Sequence, residues 1–110
     1  YEGKVFILID RHSYSNTTTV AALAQDYGFA TILGEETSDL ATTYGAMEHF
    51  ALPNTGIVVG YPKAHIIRPN GDLAARGVVP DIEIASPLRA KEDEMLEEAL
   101  RLVAREIGDD

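Results

Sequence analysis

Five consecutive apolar residues, Val5 to Ile9, sit inside "KVFILID" (Lys4 to Asp10) with no polar position to interrupt them. A short, unbroken run of β-branched and aromatic residues bounded by charge predicts a strand buried on both faces, at the centre of a parallel sheet. The pattern then changes period. From Asn16 to Tyr27 the larger apolar residues Val20, Leu23 and Tyr27 recur at spacings of three and four with alanines between them, and Gly28 follows. This is a helix with a glycine at its C-terminal stop. "FATILG" (Phe29 to Gly34) returns to strand character, so residues 4–34 read strand, helix, strand at the usual connection lengths of a βαβ unit, for which a right-handed crossover is expected.

Beyond it, "GEETSDLATTYG" (Gly34 to Gly45) is polar and bounded by glycines. It predicts a loop at the carboxyl end of a strand, where open α/β sheets place their ligands. Ala46 to Leu52 and Gly56 to Tyr61 are strand-like runs separated by Pro53-Asn54-Thr55, which predicts a β-hairpin. A short strand around Ile66, a turn at Asn70-Gly71 and an extended segment from Pro80 to Ala85 are expected at the sheet edge. "SPLRAK" (Ser86 to Lys91) reads as a connector or helix start. From Lys91 to Ile107 a stripe of Leu96, Ala99, Leu100, Val103 and Ile107 opposite charged residues predicts a docked amphipathic helix, with Glu97 and Arg101 as an i,i+4 pair. The fold class expected is α/β with a mostly parallel sheet, a β-hairpin and a C-terminal amphipathic helix.

Composition narrows the function classes. A length of 110 residues suits one domain or part of one, and no apolar run approaches the roughly 20 residues of a membrane span. Nine basic residues against eighteen acidic give a formal charge of −9, which repels phosphate backbones, so nucleic acid is not an expected partner. Eight of those carboxylates lie from Glu92 onward and describe the solvated face of the last helix. With no cysteine there is no disulfide, thiolate nucleophile or cysteine-bound metal. The chain opens with Tyr1 almost directly on the first strand, an expectation that it begins inside a longer polypeptide.

The hydroxyl-rich stretch "HSYSNTTT" falls between the first strand and the helix. Ser15 at that junction has two readings. It can be an N-cap, among the commonest uses of serine. Alternatively it is a nucleophile set where helix N–H groups converge, with the Asn16 backbone N–H as one donor to an oxyanion. Ser13 is the second candidate nucleophile. His12, three residues before Ser15, is the visible candidate for a base, although the turn need not bring its ring to the hydroxyl, and His49 and His65 lack a carboxylate at triad-like spacing. Asp10 is better placed to order the turn than to do chemistry. The spacing of histidines and carboxylates matches no metal site, and the reading calls for no cofactor.

Five pieces, "VFILIDRHSYS", "AALAQDYGFATILGEET", "YGAMEHFALPNTGIVV", "PNG" and "RGVVPDIEI", cover most of residues 3–85. In that order they resemble the C-terminal-processing (tail-specific) serine peptidases, whose relatives include the tricorn core protease and retinoid-binding modules. The resemblance places the family's nucleophile on Ser15. It implies a crotonase-like or ClpP-like architecture of stacked βαβ units, of which these residues are the C-terminal part of one catalytic domain. It further implies a peptide or protein substrate, an extracytoplasmic location, and association with the upstream part of the domain or with a second copy. The tail-specific branch uses a lysine base supported by a glutamine, and their matching positions are Leu40 and Tyr44, while Lys4, Lys63 and Lys91 lie elsewhere. The tricorn-like branch, to which the chain is therefore closer, takes a histidine base from an upstream segment, with a glutamate near the position of Ala74. The histidine and the glycine pair of the oxyanion hole are expected upstream of this chain. The loop "EETSDLATTYG" and the hairpin around "LPNTG" are expected to border the cleft. Two other readings are a peptide-binding module of the same fold that has lost its base, and, with a poorer match, acyl-coenzyme chemistry.

Overall fold

The computed structural model describes residues 2–85 and 93–108. The elements run β1 (Phe6–Ile9), α1 (Asn16–Asp26), β2 (Thr31–Gly34), β3 (Thr43–Ala51), β4 (Val58–Ile66), β5 (Ile82–Glu83) and α2 (Glu94–Gly108). β1, β2 and β5 form a three-stranded sheet in the order β1-β2-β5, both pairings parallel. β3 and β4 form a separate antiparallel ribbon.

The sheet is the middle of three layers. On one face Ile9 and Ile32 pack with Ala21, Ala22 and Ala24 of α1 and with Val78. On the other, Leu33 packs with Ile84 and with Met95 and Ala99 of α2. Ile32 and Leu33 are adjacent, point to opposite faces and are both fully buried, each contributing about 2 kcal/mol by transfer out of water. β2 is therefore the strand buried on both faces. The expectation that the Lys4 to Asp10 run is the central strand is corrected: among the described residues β1 lies at an edge, and Val5 and Leu8 are about two-fifths exposed.

Both helices bury a different stripe from the one their large residues suggest. In α1 the small residues Thr18, Ala21, Ala22 and Ala24 are buried while Val20, Leu23 and Tyr27 face outward; small side chains let the helix lie close on the sheet. In α2, Met95 and Ala99 are buried with Leu102 beside them, whereas Leu96 and Leu100 are exposed. The expected stripe is thus corrected at Leu96 and Leu100, while Ala99 and the half-buried Val103 keep to it and the Ile107 side chain lies outside what is described. The Asp93 carboxylate caps this helix by accepting the Leu96 N–H at 2.9 Å. Arg101 pairs with Glu98, one turn back, in place of the expected Glu97. The expected helix start at Lys91 and the Ser86 to Lys91 connector lie outside the described residues.

The hairpin is longer than expected at its base. β3 starts at Thr43, and the separate short strand expected around Ile66 is the end of β4, where Ile66 pairs with Thr43. Pro62 inside β4 hid this continuity. A two-stranded ribbon leaves one side of each strand without a ladder, and proline is tolerated there. The turn at Pro53-Asn54-Thr55 is where the sequence places it, closed by Gly56 N–H to Leu52 O at 2.9 Å. Most of the ribbon is exposed and stands off the three-layer body.

The chain leaving the ribbon is tied to α1 by an ion pair. Arg68 grips Asp26 with two bonds of 2.6 and 2.9 Å, both side chains more than nine-tenths buried. The Asn70 N–H also donates to Asp26 at 3.1 Å, and Gln25 reaches the Val79 carbonyl and Asp81. The hydrogen bonds from Arg68 hold the Asp26 carboxyl below its ordinary value, against the opposing effect of burial. A carboxylate with a depressed folded pKa adds stability above its unfolded value near 4, and that stability is lost as pH falls through the folded value. Asp26→Asn should cost about 3 kcal/mol at neutral pH. Its urea-melt midpoint should also fall less steeply than the wild type's below about pH 4; equal slopes in the two proteins would contradict the pairing.

Candidate active site

β1 ends against β2, and the chain must turn at once into α1. Ser13 N–H closes the turn on Asp10 O at 3.0 Å, and the Asp10 carboxylate accepts the His12 N–H at 2.8 Å. The Ser13 hydroxyl accepts the Asp10 N–H at 3.0 Å and donates to the Asp10 carboxylate at 3.3 Å. Ser13 is buried and fully occupied in this turn, so its hydroxyl is a structural one. Asp10 orders the turn, as its position in the sequence indicates.

Ser15 is built differently. It is the residue before α1, at φ 58° and ψ −124°, a backbone conformation that costs a non-glycine residue of order 1–3 kcal/mol and persists only where its surroundings impose it. Its hydroxyl makes no capping bond to the helix, so helix capping does not account for this serine. Ser15 instead lines a cavity of about 430 Å³. The Asn16 N–H, at the first helical position, has no hydrogen-bond partner among the described residues. An exposed hydroxyl beside an open N–H at a helix N-terminus is the arrangement acyl transfer uses for nucleophile and oxyanion donor.

The cavity's other walls come from the loop after β2 and the base of the ribbon. Asp39 and Leu40 form one side, Thr43 to Met47 and Ile66 another, and Tyr14 and Thr19 the rim. The polar loop from Gly34 to Gly45 does border the site. The tip around "LPNTG" does not, because the ribbon carries it away from the body; this corrects the expectation. Leu40 and Tyr44, which the resemblance matches to the lysine and glutamine of the tail-specific branch, both line the cavity with Ser15. The Tyr44 ring stacks on His65 with centroids 4.5 Å apart. Among the described residues no lysine or histidine lines the cavity, and no group of three or more metal-ligating side chains occurs. Ala46 adds a second strained position, φ 54° inside β3, with the strand register unchanged on either side of it.

A residue the sequence did not single out reaches Ser15 from this loop. The Asp39 carboxylate accepts the Ser15 N–H at 2.6 Å through Oδ2 and the Leu40 N–H at 2.9 Å through Oδ1. The loop that carries it is clamped by the segment before β5. Thr37 Oγ1 accepts the Val78 N–H at 2.9 Å and donates to the Asp39 carbonyl at 2.8 Å. Thr37 N–H donates to Val78 O, and Ala41 N–H to Arg76 O. Glu36 holds the Arg76 guanidinium with two bonds and the Gly77 N–H with a third, which lowers its pKa, chiefly through the Arg76 bonds. Gly77 is obligatory: a Cβ there would lie 2.0 Å from the Thr37 carbonyl oxygen.

Comparison with known proteins bears on the fold that carries this site. The model of Peptidase family S41 matches residues 1–84. Among solved structures, mature CPAF superposes with a TM-score of 0.73 at 24% identity over 100% of this chain and 22% of that one. A structure of mature CPAF complexed with lactacystin gives 0.75 at 25%, with the same coverage. The photosystem II D1 C-terminal processing protease gives 0.64 at 22%, over 90% of this chain and 25% of that one. The chain thus spans about a quarter of the length of the solved structures it resembles. Thr37→Val should destabilise the protein by about 2 kcal/mol by stranding the Val78 N–H and the Asp39 carbonyl, whereas Thr37→Ser should keep both bonds; thermal melts of the pair check this, and equal melts would contradict it.

Proposed function

This chain belongs to peptidase family S41, and from that premise we propose that Ser15 is the nucleophile of a serine-type endopeptidase. The observation that carries the reading is the backbone of Ser15: strained, uncapped and lining a cavity between a parallel strand and a helix. A cap would be bonded to the helix and a surface serine would have no cause for strain.

The reaction follows from those parts. Ser15 Oγ loses its proton to a base and attacks the carbonyl carbon of a peptide held in the cavity, forming a tetrahedral intermediate whose oxyanion takes the Asn16 N–H. The C–N bond breaks, the amine leaves with a proton, and an acyl-enzyme remains on Ser15. Water, deprotonated by the same base, hydrolyses it. Leu40 and Tyr44 on the cavity wall support a base other than lysine, and we assign a histidine from an upstream segment, as in the tricorn-like branch. In this reading the residues form the C-terminal part of a catalytic domain with the crotonase-like or ClpP-like stacking of βαβ units, completed by preceding chain that supplies the base and the glycine pair of the oxyanion hole. Peptide or protein is the substrate class, with an extracytoplasmic location.

The full-length protein should hydrolyse fluorescently labelled casein, and Ser15→Ala should abolish turnover while shifting stability by no more than about 1 kcal/mol. Undiminished turnover in the folded Ser15→Ala protein would remove Ser15 from the chemistry. Casein binding without turnover by the unaltered protein would favour a binding module that has lost its base.

A further inference from the structure

α1 begins without the usual devices of a helix start. Its N-cap serine makes no side-chain bond to the helix, and no acidic residue lies in its first turn. The Thr17 N–H is taken by the Tyr14 carbonyl at 3.2 Å, but the positive end of the helix dipole has no negative side chain of its own first turn beside it. Negative charge arrives from elsewhere in the chain, from Asp39, 24 residues on, whose Oδ2 takes the Ser15 N–H at 2.6 Å. This bond is short, charge-assisted and made to the residue at φ 58°.

We propose that Asp39 is the positioning residue of the nucleophile: it fixes the Ser15 backbone in its strained conformation and so aims the hydroxyl into the cavity, leaving the Asn16 N–H open for the oxyanion. Three features bear on this. The bond falls on the strained peptide itself, not on a later turn of the helix. Both carboxylate oxygens are used, Oδ1 by the Leu40 N–H, so the side chain has one rotamer to occupy. The Asp39 backbone is in turn held by Thr37 Oγ1, which Val78 fixes. Asp39 takes no proton and touches no substrate in this account; it acts through Ser15. An asparagine could satisfy only one of the two N–H groups with its single oxygen and would carry no charge, so its effect should be intermediate.

The inference rests on Ser15 being the nucleophile, and the test separates the two claims. The full-length protein is treated with a fluorophosphonate, and the rate of Ser15 phosphonylation is measured for the unaltered protein, Asp39→Ala, Asp39→Asn and the exposed control Ser38→Ala. Deuterium exchange at the Ser15 amide is followed in parallel. Asp39→Ala should label slower by about tenfold or more, since small misplacements of a reacting group carry losses of that order. Asp39→Asn should fall between, and Ser38→Ala should match the unaltered protein. The Ser15 amide should exchange faster in Asp39→Ala. If Asp39→Ala melts below the assay temperature, Asp39→Asn decides by the same criterion. Labelling of the aspartate variants at the unaltered rate overturns the positioning role alone. Failure of the unaltered protein to label overturns the peptidase reading and this inference with it.

Discussion

A serine held at φ 58° and ψ −124° relaxes unless something stronger than the strain opposes it. The opposing contact here is the charge-assisted hydrogen bond between the Ser15 N–H and the Asp39 carboxylate, and much of the architecture serves to bring those two groups together. β1 delivers the chain to the elbow. β2, buried on both faces, delivers the loop that bears Asp39. The close pass of the two strand ends needs Gly34, at φ 122°, where a Cβ would stand 2.0 Å from the Ile9 carbonyl oxygen. The segment before β5 then locks the loop through Thr37, Glu36 and Gly77. Each contact is modest. Their value lies in removing alternatives for a loop that would otherwise be free to move.

Two of the pieces that carry the family resemblance, "AALAQDYGFATILGEET" and "RGVVPDIEI", acquire a physical meaning in this light. They are opposite jaws of one clamp: Glu36 and Thr37 from the first meet Gly77 and Val78 from the second, and Asp81 accepts the Ile32 N–H at 2.8 Å. None of these residues touches the cavity. Their task is to place a neighbour that does.

How much of this could be read from the residues alone depends on the range of the interaction. The strand-helix-strand order, the parallel sheet, the hairpin turn and the loop at the carboxyl end of β2 follow from local period and turn chemistry, and all are present. Which strand is central among the described residues is not legible, because "KVFILID" and "FATILG" are both apolar and only packing distinguishes an edge from a centre. Helix faces failed for a related reason. A stripe of large residues marks what can be buried, while α1 was set by how closely it could approach the sheet, which favours Ala21, Ala22 and Ala24. Pro62 marks a break in the local pattern, yet β4 runs through it, because the usual meaning of proline as a breaker does not hold on a two-stranded ribbon. Ser15 was visible as a position but not as a conformation. Asp39 was hidden altogether, since an aspartate in a polar loop carries no local sign of a partner 24 residues away; the only signal was the loop's place at a strand end.

The cavity wall carries the same lesson for chemistry. Leu40 and Tyr44 line the same cavity as Ser15, so in the proposed reaction their identity bears on which base is used. The measurement that tests the central claim most directly is the site of covalent modification: the full-length protein is inactivated with a fluorophosphonate, digested, and the adduct located by mass spectrometry. The account predicts a single adduct on Ser15, with the neighbouring Ser13 unmodified because its hydroxyl is buried and bonded to Asp10. An adduct on Ser13, or none on either serine in a folded protein, would contradict it.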